Sequence, residues 1–303
     1  MATTGKKTIL AALIANLGIA IAKFAGFAIT KSSTMLAEGI HSSADSANQL
    51  LLLLGTRRAK REPSSKHPFG YGRERYFWSF VVALILFSLG SLFAIYEGIE
   101  KIRHPHTLDK ANWAIGILLF GIFIESFSFR TAIVEAKTIK GKTTWSKFVI
   151  RSKQPEIPVV LLEDAGALFG MVIALAAISL VKITGDPIWD GIGTLSIGVL
   201  LGVIATILAR EMHSLIIGEA ATEEDLSKIV SVIENNSQVA QLVEMRTQHL
   251  GPEEILIGVR VAFHETLQTK EIANLINQLE ADIRSELKTA GPIFIEPEIT
   301  ENN

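Results

Sequence analysis

Apolar residues along this chain form six long stretches separated by shorter polar segments. The stretches cover residues 8–30, 33–54, 76–99, 112–135, 157–182 and 188–209. Each is close to the roughly 20 residues that an α-helix needs to cross a bilayer. The polar hinge between the first two is very short, which indicates a tight helical hairpin. The pattern predicts an α-helical membrane protein in which residues 1–212 form a six-span transmembrane bundle.

The pattern changes in residues 213–303, where apolar runs are shorter and alternate with polar residues. Thr222, followed by three acidic residues, is typical of a capped helix start, and this helix should continue to about Asn235. Strands are predicted at residues 241–249, 254–263 and 293–295, with a helix at 266–289. The order α-β-β-α-β predicts a second, small α/β domain.

Composition agrees with a membrane protein and restricts its chemistry. Hydrophobic residues make up 49% of the chain, and the mean hydropathy of +0.35 is too high for an ordinary soluble protein. The chain has no cysteine, which excludes disulfides and thiolate metal sites. Any metal ligand must therefore come from His, Asp or Glu. We expect neither an organic cofactor nor a nucleic-acid partner.

Basic residues predict the orientation of the bundle. They concentrate at the N-terminus and in the segments after the second and fourth apolar stretches, so the positive-inside rule predicts that both termini and the α/β domain are cytoplasmic. The N-terminus has no cleavage site and no Arg-rich leader, which favours a retained first span and a bacterial inner membrane. The two loop clusters are Arg57, Arg58, Lys60, Arg61, Lys66, Arg73 and Arg75, and Lys137, Lys140, Lys142, Lys147, Arg151 and Lys153.

The second apolar stretch carries an unusual set of polar side chains. His41 and Asp45 are four residues apart and Glu38 lies three residues before His41, so all three share one face of a helix. An ionisable group near the bilayer centre costs about 2.5–3.5 kcal/mol on insertion scales. These groups should therefore face a partner helix, a cavity or an ion. They could form a metal site, or a paired structural cluster or proton relay without metal.

The fifth stretch offers the complementary carboxylates. Asp164 lies among small residues that permit close helix packing, and with His41 and Asp45 it would supply three of the four ligands that zinc usually takes. Glu163, Glu38 or water could supply the fourth. Because adjacent helical residues point about 100° apart, Glu163 and Asp164 cannot both face one ion without distortion. We favour Asp164.

Other histidines are weaker candidates for metal binding. His67 lies in the segment HPFGYGRER, where two glycines permit a turn, and it is either a loop ligand or part of a helix-entrance turn. A peripheral site in the α/β domain would use residues from different strands, so their spacing gives it no independent support. Those residues are His249, His264 and Glu296.

Several motifs occur in an order that resembles the cation diffusion facilitator family of zinc and manganese exporters. They are AEGIHSSADSANQ, HPFGYGRER, EGIEKIRHP, WDGIGTLSIGVLL and LIIGEAA, and the resemblance covers nearly the whole chain. The Glu-Asp pair after a long basic loop is similar to the branch that contains the mitochondrial zinc transporter of animals. The resemblance implies a homodimer, metal–proton exchange, and a transport site at His41, Asp45 and Asp164. It also implies a regulatory and dimerisation role for the C-terminal domain.

Three positions depart from the family pattern. Val160 stands where zinc members place a His one turn before the aspartate of the fifth span, which leaves the fourth ligand open. Tyr71 replaces the second His of the loop motif, so a loop site would depend on His67 without that partner. Phe294 replaces the usual His two residues before Glu296, so a dinuclear site in the C-terminal domain is incomplete.

These observations together predict a divalent-cation efflux transporter, a secondary transporter and not an enzyme. The expected cargo is Zn²⁺, with Mn²⁺, Fe²⁺ and Co²⁺ left open, and the expected mechanism is proton-coupled antiport with alternating access in a lipid bilayer. The alternative is a non-transporting membrane scaffold or sensor that binds metal. No nucleophile–base arrangement supports a membrane enzyme.

Overall fold

The computed structural model describes residues 17–105 and 111–299. It divides into two compact units. The first contains the described part of residues 1–56 together with Tyr76–His213, and the second contains Arg57–Arg75 together with the described part of residues 214–303.

All secondary structure in the described part of the first unit is helical. Helices α3 and α4 flank a π-helical segment, Leu86–Leu92, and with it form one long helix, Glu74–Arg103. The helices are α1 (Leu17–Thr30), α2 (Ser33–Ala59), α3 (Glu74–Ile85), α4 (Phe93–Arg103), α5 (Ala111–Lys140), α6 (Trp145–Arg151), α7 (Glu156–Thr184) and α8 (Ile188–Ile217).

Four of these helices are long and apolar enough to cross a membrane: Glu74–Arg103, α5, α7 and α8. Helix α2 has 27 residues, which is long enough, but polar side chains interrupt its apolar sequence. The described part of α1 is apolar but shorter than a span, and residues 8–16 of the predicted first stretch lie outside the described residues. The helical membrane bundle is confirmed, and the count of six spans stays a prediction.

Close approach of backbones holds part of the bundle together. A Cβ on Gly98 of α4 would lie 2.6 Å from Leu195 N of α8, and one on Gly198 of α8 would lie 2.7 Å from Ile95 N. Small residues at such crossings allow van der Waals contact between helices in lipid, where burial of apolar surface provides little drive for association.

The second unit confirms the predicted α-β-β-α-β order. It consists of α9 (Glu223–Glu234), β1 (Val239–Gly251), β2 (Glu254–Phe263), α10 (Thr269–Glu286) and β3 (Ala290–Glu298). Strand β2 is central, antiparallel to β1 and parallel to β3, and α10 makes the crossover that a parallel pair requires. Helix α10 is shorter than the predicted range, because a capping box begins at Gln268 and the helix ends before Leu287.

The second unit also includes residues 57–75, which run from the last three residues of α2 through the connecting segment to the first two residues of α3. A Cβ on Gly72 would lie 2.7 Å from Leu250 O, and one on Gly251 would lie 2.8 Å from Gly72 Cα. Arg75 Nη1 lies 3.1 Å from Glu253 Oε1. The segment therefore packs against the β1–β2 turn backbone to backbone, a contact that only glycine at these positions permits.

Candidate metal site

Helix α2 presents His41 and Asp45 on one face, as their spacing requires. His41 Nδ1 lies 3.6 Å from Asp45 Oδ1, the imidazole is fully buried, and the Asp45 side chain is 13% exposed. This distance is too long for a good hydrogen bond. It does leave an imidazole nitrogen and a carboxylate oxygen side by side inside the bundle.

The His41 ring is unusual because its polar atoms are not satisfied. Within the described part of the chain, neither His41 nitrogen nor Asp45 Oδ1 has a hydrogen-bond partner. Most buried polar groups have one, so each exception calls for an explanation. A neutral imidazole with a free lone pair is the commonest protein ligand of divalent metals. The pair is thus chemically suited to bind a divalent cation, because no other described side chain satisfies these atoms.

Helix α7 presents its two adjacent acids in different directions. Asn48 Nδ2 of α2 donates to Glu163 Oε1 at 2.6 Å, whereas Ser128 Oγ of α5 donates to Asp164 Oδ2 at 3.0 Å. Glu163 therefore faces α2 and Asp164 faces α5, as expected for neighbouring helical positions about 100° apart. The sequence analysis favoured Asp164 as the residue facing the α2 pair.

The three predicted ligands are not assembled in this conformation. Among residues 17–105 and 111–299, no group of three or more His, Asp or Glu side chains is arranged to hold one metal ion. The structure brings His41 and Asp45 together and places both α7 acids in the same interior region, close enough to interact electrostatically with Asp45.

A cavity of about 340 Å³ reaches Asp164 from one end of the bundle. Helices α2, α5 and α7 line it, and Val160, the residue at the position of the missing histidine, is part of its wall. The polar lining residues are Gln49, Thr56, Ser128, Thr131, Glu135, Glu156 and Asp164. Because Thr56 lies near the end of α2 and Glu156 begins α7, the cavity connects that end of the bundle with a buried carboxylate.

Glu38, a candidate for the fourth ligand, is already paired with a cation. Lys23 Nζ of α1 lies 2.9 Å from Glu38 Oε2 and donates to Ser42 Oγ at 2.7 Å. Lys23 and Glu38 are both fully buried within the first unit, so each charge compensates the other. In this conformation Glu38 serves as the counter-ion of Lys23.

Two polar contacts of the site were not assigned from the sequence. Asn48 was visible as one of the polar residues of the second stretch, but its partner Glu163 was not. Ser128 was missed, and its only signal was a polar position on α5 one turn from the buried Glu125. Both residues orient a candidate ligand.

His67 lies in the second unit and is exposed. Its ring packs against Tyr71, with 4.7 Å between ring centroids, and Tyr71 also shares a 3.0 Å hydrogen bond with Ser64. The residue that replaces the second histidine of the loop motif thus organises the turn around the first one.

Strand register separates the candidates in the α/β domain. His249 lies opposite Ile255 and is buried with Nδ1 3.2 Å from Gly251 O. His264 follows Phe263 at the other end of β2, about 30 Å away at the usual rise per residue. Glu296 pairs with Arg260 in mid-strand and lies 3.8 Å from its Nε. One ion cannot contact both histidines in this register.

Comparison with known proteins identifies the family. A family model described as the cation efflux transmembrane domain matches residues 9–217. The chain belongs to the cation efflux family. This confirms the resemblance drawn from the sequence motifs and the expectation that the chain is a member of a transporter family.

Named relatives support the same branch. The chain is 31% identical over 251 residues to the proton-coupled zinc antiporter SLC30A9, mitochondrial, of Mus musculus, which covers 82% of this chain and 44% of that protein. It is 31% identical over 263 residues to metal tolerance protein C4 of Arabidopsis thaliana, covering 86% and 57%. The chain thus spans about half the length of these relatives. A third relative, the manganese efflux system protein MneP of Bacillus subtilis, is 23% identical over 96% of this chain and 97% of its own.

Proposed function

We propose that this member of the cation efflux family exports Zn²⁺ in exchange for protons, with the cation bound between α2 and α7. The observation that carries the proposal is the buried His41–Asp45 pair, whose facing atoms have no hydrogen-bond partner among the described residues. A divalent cation would satisfy both atoms at once.

The proposed site needs one carboxylate from α7. Asp164 now accepts a hydrogen bond from Ser128 on α5, so binding would require α7 to turn Asp164 toward α2. A rotation of about 100°, the angle between neighbouring residues, would bring Asp164 to the direction that Glu163 now takes and would turn Glu163 away from α2. In this proposal the described conformation precedes binding, and His41, Asp45 and Asp164 coordinate the ion after the rotation.

The ligand chemistry links the metal to protons. Imidazole and carboxylate must lose any bound proton before they can coordinate a metal, so uptake releases protons and metal release allows them to return. The same buried groups could therefore carry the cation in one direction and protons in the other. The cavity beside Asp164 supplies a route between this site and one end of the bundle.

The relatives support the cargo and raise an alternative. The mouse protein is named as a proton-coupled zinc antiporter, and the site offers the nitrogen and oxygen ligands that zinc accepts. The Bacillus subtilis relative is named for manganese efflux and matches over nearly its whole length, so Mn²⁺ is the second candidate. Homodimer formation, cytoplasmic termini, a bacterial inner membrane, and a regulatory C-terminal domain complete the proposal.

The test is zinc flux in proteoliposomes with and without a pH gradient. The wild-type protein should move Zn²⁺ faster when protons are concentrated on the side to which the metal is delivered. The double variant Asp45→Ala with Asp164→Ala should not transport, while Asp186→Asn, a change at an exposed acid that accepts a hydrogen bond from Ile188 N, should behave as wild type. Flux that survives the double substitution would refute the site.

A second measurement separates transport from sensing and zinc from manganese. Competition of Zn²⁺ and Mn²⁺ for the purified protein should favour Zn²⁺ and should be lost in the double variant. If the protein binds metal but shows no flux in either direction, the transporter proposal would be wrong and the alternative, a metal-binding membrane scaffold or sensor, would take its place.

A further inference from the structure

A single carboxylate of α8 binds the start of α2. Asp190 is fully buried and its Oδ2 accepts hydrogen bonds from Ser33 N and Ser33 Oγ, both at 2.9 Å. Its Oδ1 accepts from Ser32 Oγ and Thr34 Oγ1, both at 2.8 Å. Four short contacts from three consecutive residues converge on the two oxygens of one side chain.

These contacts cap the N-terminus of α2, a role that is usually played by a residue next to the first turn of the same helix. The first backbone N–H groups of a helix have no intrahelical acceptor, and a negative charge at this end is favoured by the helix dipole. Here the acceptor comes from α8 and carries a full charge, which makes the hydrogen bonds stronger than those of a neutral cap. The axial position of α2 is therefore tied to α8.

A third element joins the same cluster. Lys101 Nζ of α4 lies 4.0 Å from Asp190 Oδ2 and donates to Lys31 O at 3.4 Å. Lys31 is in the left-handed region, with φ of 57°, which turns the carbonyl between α1 and α2 toward this cluster. The α1–α2 hairpin, α4 and α8 thus meet around the buried Asp190 carboxylate and the buried Lys101 ammonium.

This cluster and the cavity lie at opposite ends of α2. Thr34 and Thr56 are 22 residues apart, or about 33 Å along a helix, which is the thickness of the hydrocarbon core. The cavity that reaches Asp164 is lined by Thr56, whereas the Asp190 cluster surrounds Thr34. His41 and Asp45 lie between the two ends.

We infer that Asp190 is a positioning residue for transport: it closes one end of the bundle while the cavity is open at the other. The inference rests on the proposed function, because closing and opening matter only if α2 carries the transported ion. For the bundle to open at the Asp190 end, α2 must separate from α8 and these hydrogen bonds must break. The strength of these hydrogen bonds then sets the ratio of molecules open at the cavity end to molecules open at the Asp190 end.

The absence of cysteine from the chain makes a direct test possible with single introduced thiols. Thr56→Cys reports on the cavity end, and Ala174→Cys reports on a fully buried position of α7, ten residues beyond Asp164 and away from the cavity. Each is combined with Asp190→Asn, and labelling by the membrane-permeant reagent N-ethylmaleimide is followed in proteoliposomes. In the Asp190→Asn background, Ala174→Cys should be labelled about tenfold faster, and Thr56→Cys more slowly, than in the wild-type background. This is expected because the substitution weakens the charge-assisted hydrogen bonds of the conformation that is closed at the Asp190 end.

The opposite signs distinguish positioning from general destabilisation. A substitution that merely loosens the bundle would speed labelling at both positions, and that result would overturn the inference. Ser33→Ala, which removes one donor and keeps the carboxylate, should shift both rates in the same directions by less, and it provides the test if Asp190→Asn does not fold. Asp186→Asn, close to Asp190 in sequence but exposed, should change neither rate.

Flux measurements keep this inference separate from the proposed function. Unchanged labelling in Asp190→Asn and Ser33→Ala, with flux still lost in the Asp45→Ala and Asp164→Ala double variant, would refute only the role of Asp190. Flux that persists in the double variant would refute the proposed site, and the positioning role would fall with it.

Discussion

Asn48 Nδ2 donates to Glu163 Oε1 at 2.6 Å, so the acid that α7 presents to α2 is Glu163, and the neighbouring Asp164 faces α5. The contact fixes the rotation of α7 about its own axis in this conformation. It also makes the two acids experimentally separable, because each has its own hydrogen-bond donor.

Replacing each α7 acid with its amide should show which one binds the cation. Asp164→Asn removes a proposed charged ligand, so the affinity for Zn²⁺ in a competition titration should fall by about 100-fold, which corresponds to about 2.8 kcal/mol of binding free energy. Glu163→Gln keeps an oxygen that can accept from Asn48, so the affinity should stay within about threefold. The reverse ranking would assign the ligand to Glu163.

Gly170 of α7 should not tolerate a side chain. A Cβ there would lie 2.5 Å from Glu38 Oε1, and Glu38 cannot move freely because Lys23 holds it. Gly170→Ala should lower the stability of the detergent-solubilised protein by about 1–3 kcal/mol, the usual effect of overpacking. Gly116→Ala is the matched control, since nothing lies within 4 Å of a Cβ at that helical position, and it should leave stability equal or slightly higher. Equal melting temperatures for the two variants would contradict this packing.

Gly72→Ala should release the 57–75 segment from the β1–β2 turn. The added Cβ would lie 2.7 Å from Leu250 O, a backbone atom that cannot move without shifting the turn. Limited trypsin digestion should therefore cut this Lys- and Arg-rich segment faster in Gly72→Ala and in Gly251→Ala. Gly258→Ala, whose Cβ would make only an ordinary contact at 3.8 Å with Arg246 O, should be cut at the wild-type rate.

Two acids of the α/β domain should give opposite dependences of stability on pH. Burial raises the pKa of Glu254 above its usual value, so its contribution to stability is present at low pH and is lost as the pH rises through that raised pKa. The hydrogen bond from Lys228 lowers the pKa of Glu224, so its contribution is present near neutral pH and is lost as the pH falls. The pKa shifts of the two carboxyls have opposite directions, so Glu254 loses its proton at a higher pH than Glu224 does.

The measurement is the thermal midpoint of the α/β domain, in the protein with both units present, between pH 4 and pH 7. Glu254→Gln should raise the midpoint relative to wild type most at pH 7, and the difference should shrink toward pH 4. Glu224→Gln should lower it at pH 7 and converge with wild type in acid. Parallel curves for all three proteins would show that neither carboxyl is linked to folding.

The elements were predictable where the pattern of side chains is local. Strand β2 was predicted at residues 254–263, the bounds that the structure gives, because a half-buried strand alternates. The start of α9 after Thr222 was also predictable, since the Thr222 hydroxyl accepts a hydrogen bond from Asp225 N, as expected of an N-cap residue. The face shared by His41 and Asp45 follows from helical geometry alone.

Pairings between elements were not predictable in the same way. The direction in which Asp164 points depends on the rotation of α7 against α2 and α5, which is set by the packing of many side chains that are far apart in sequence. The docking of residues 57–75 on the β1–β2 turn is equally non-local, and its signal in the sequence was only that Gly72 follows another glycine by two residues. Asp190 lies within the motif WDGIG, to which the sequence analysis gave no role of its own, and its partners at Ser32–Thr34 precede it by more than 150 residues.

The π-helical segment Leu86–Leu92 gives the span Glu74–Arg103 one residue more than a continuous α-helix of the same length would contain. An α-helix is a stiff rod whose two ends turn together, but the wider i→i+5 bonding holds a surplus residue. Moving that surplus along the rod by one turn would rotate the few residues it passes by about 100° about the helix axis, with no net loss of backbone hydrogen bonds. The α4 half would stay anchored on α8 through Gly98, while the residues beside the π-helical segment would turn another face toward their neighbours.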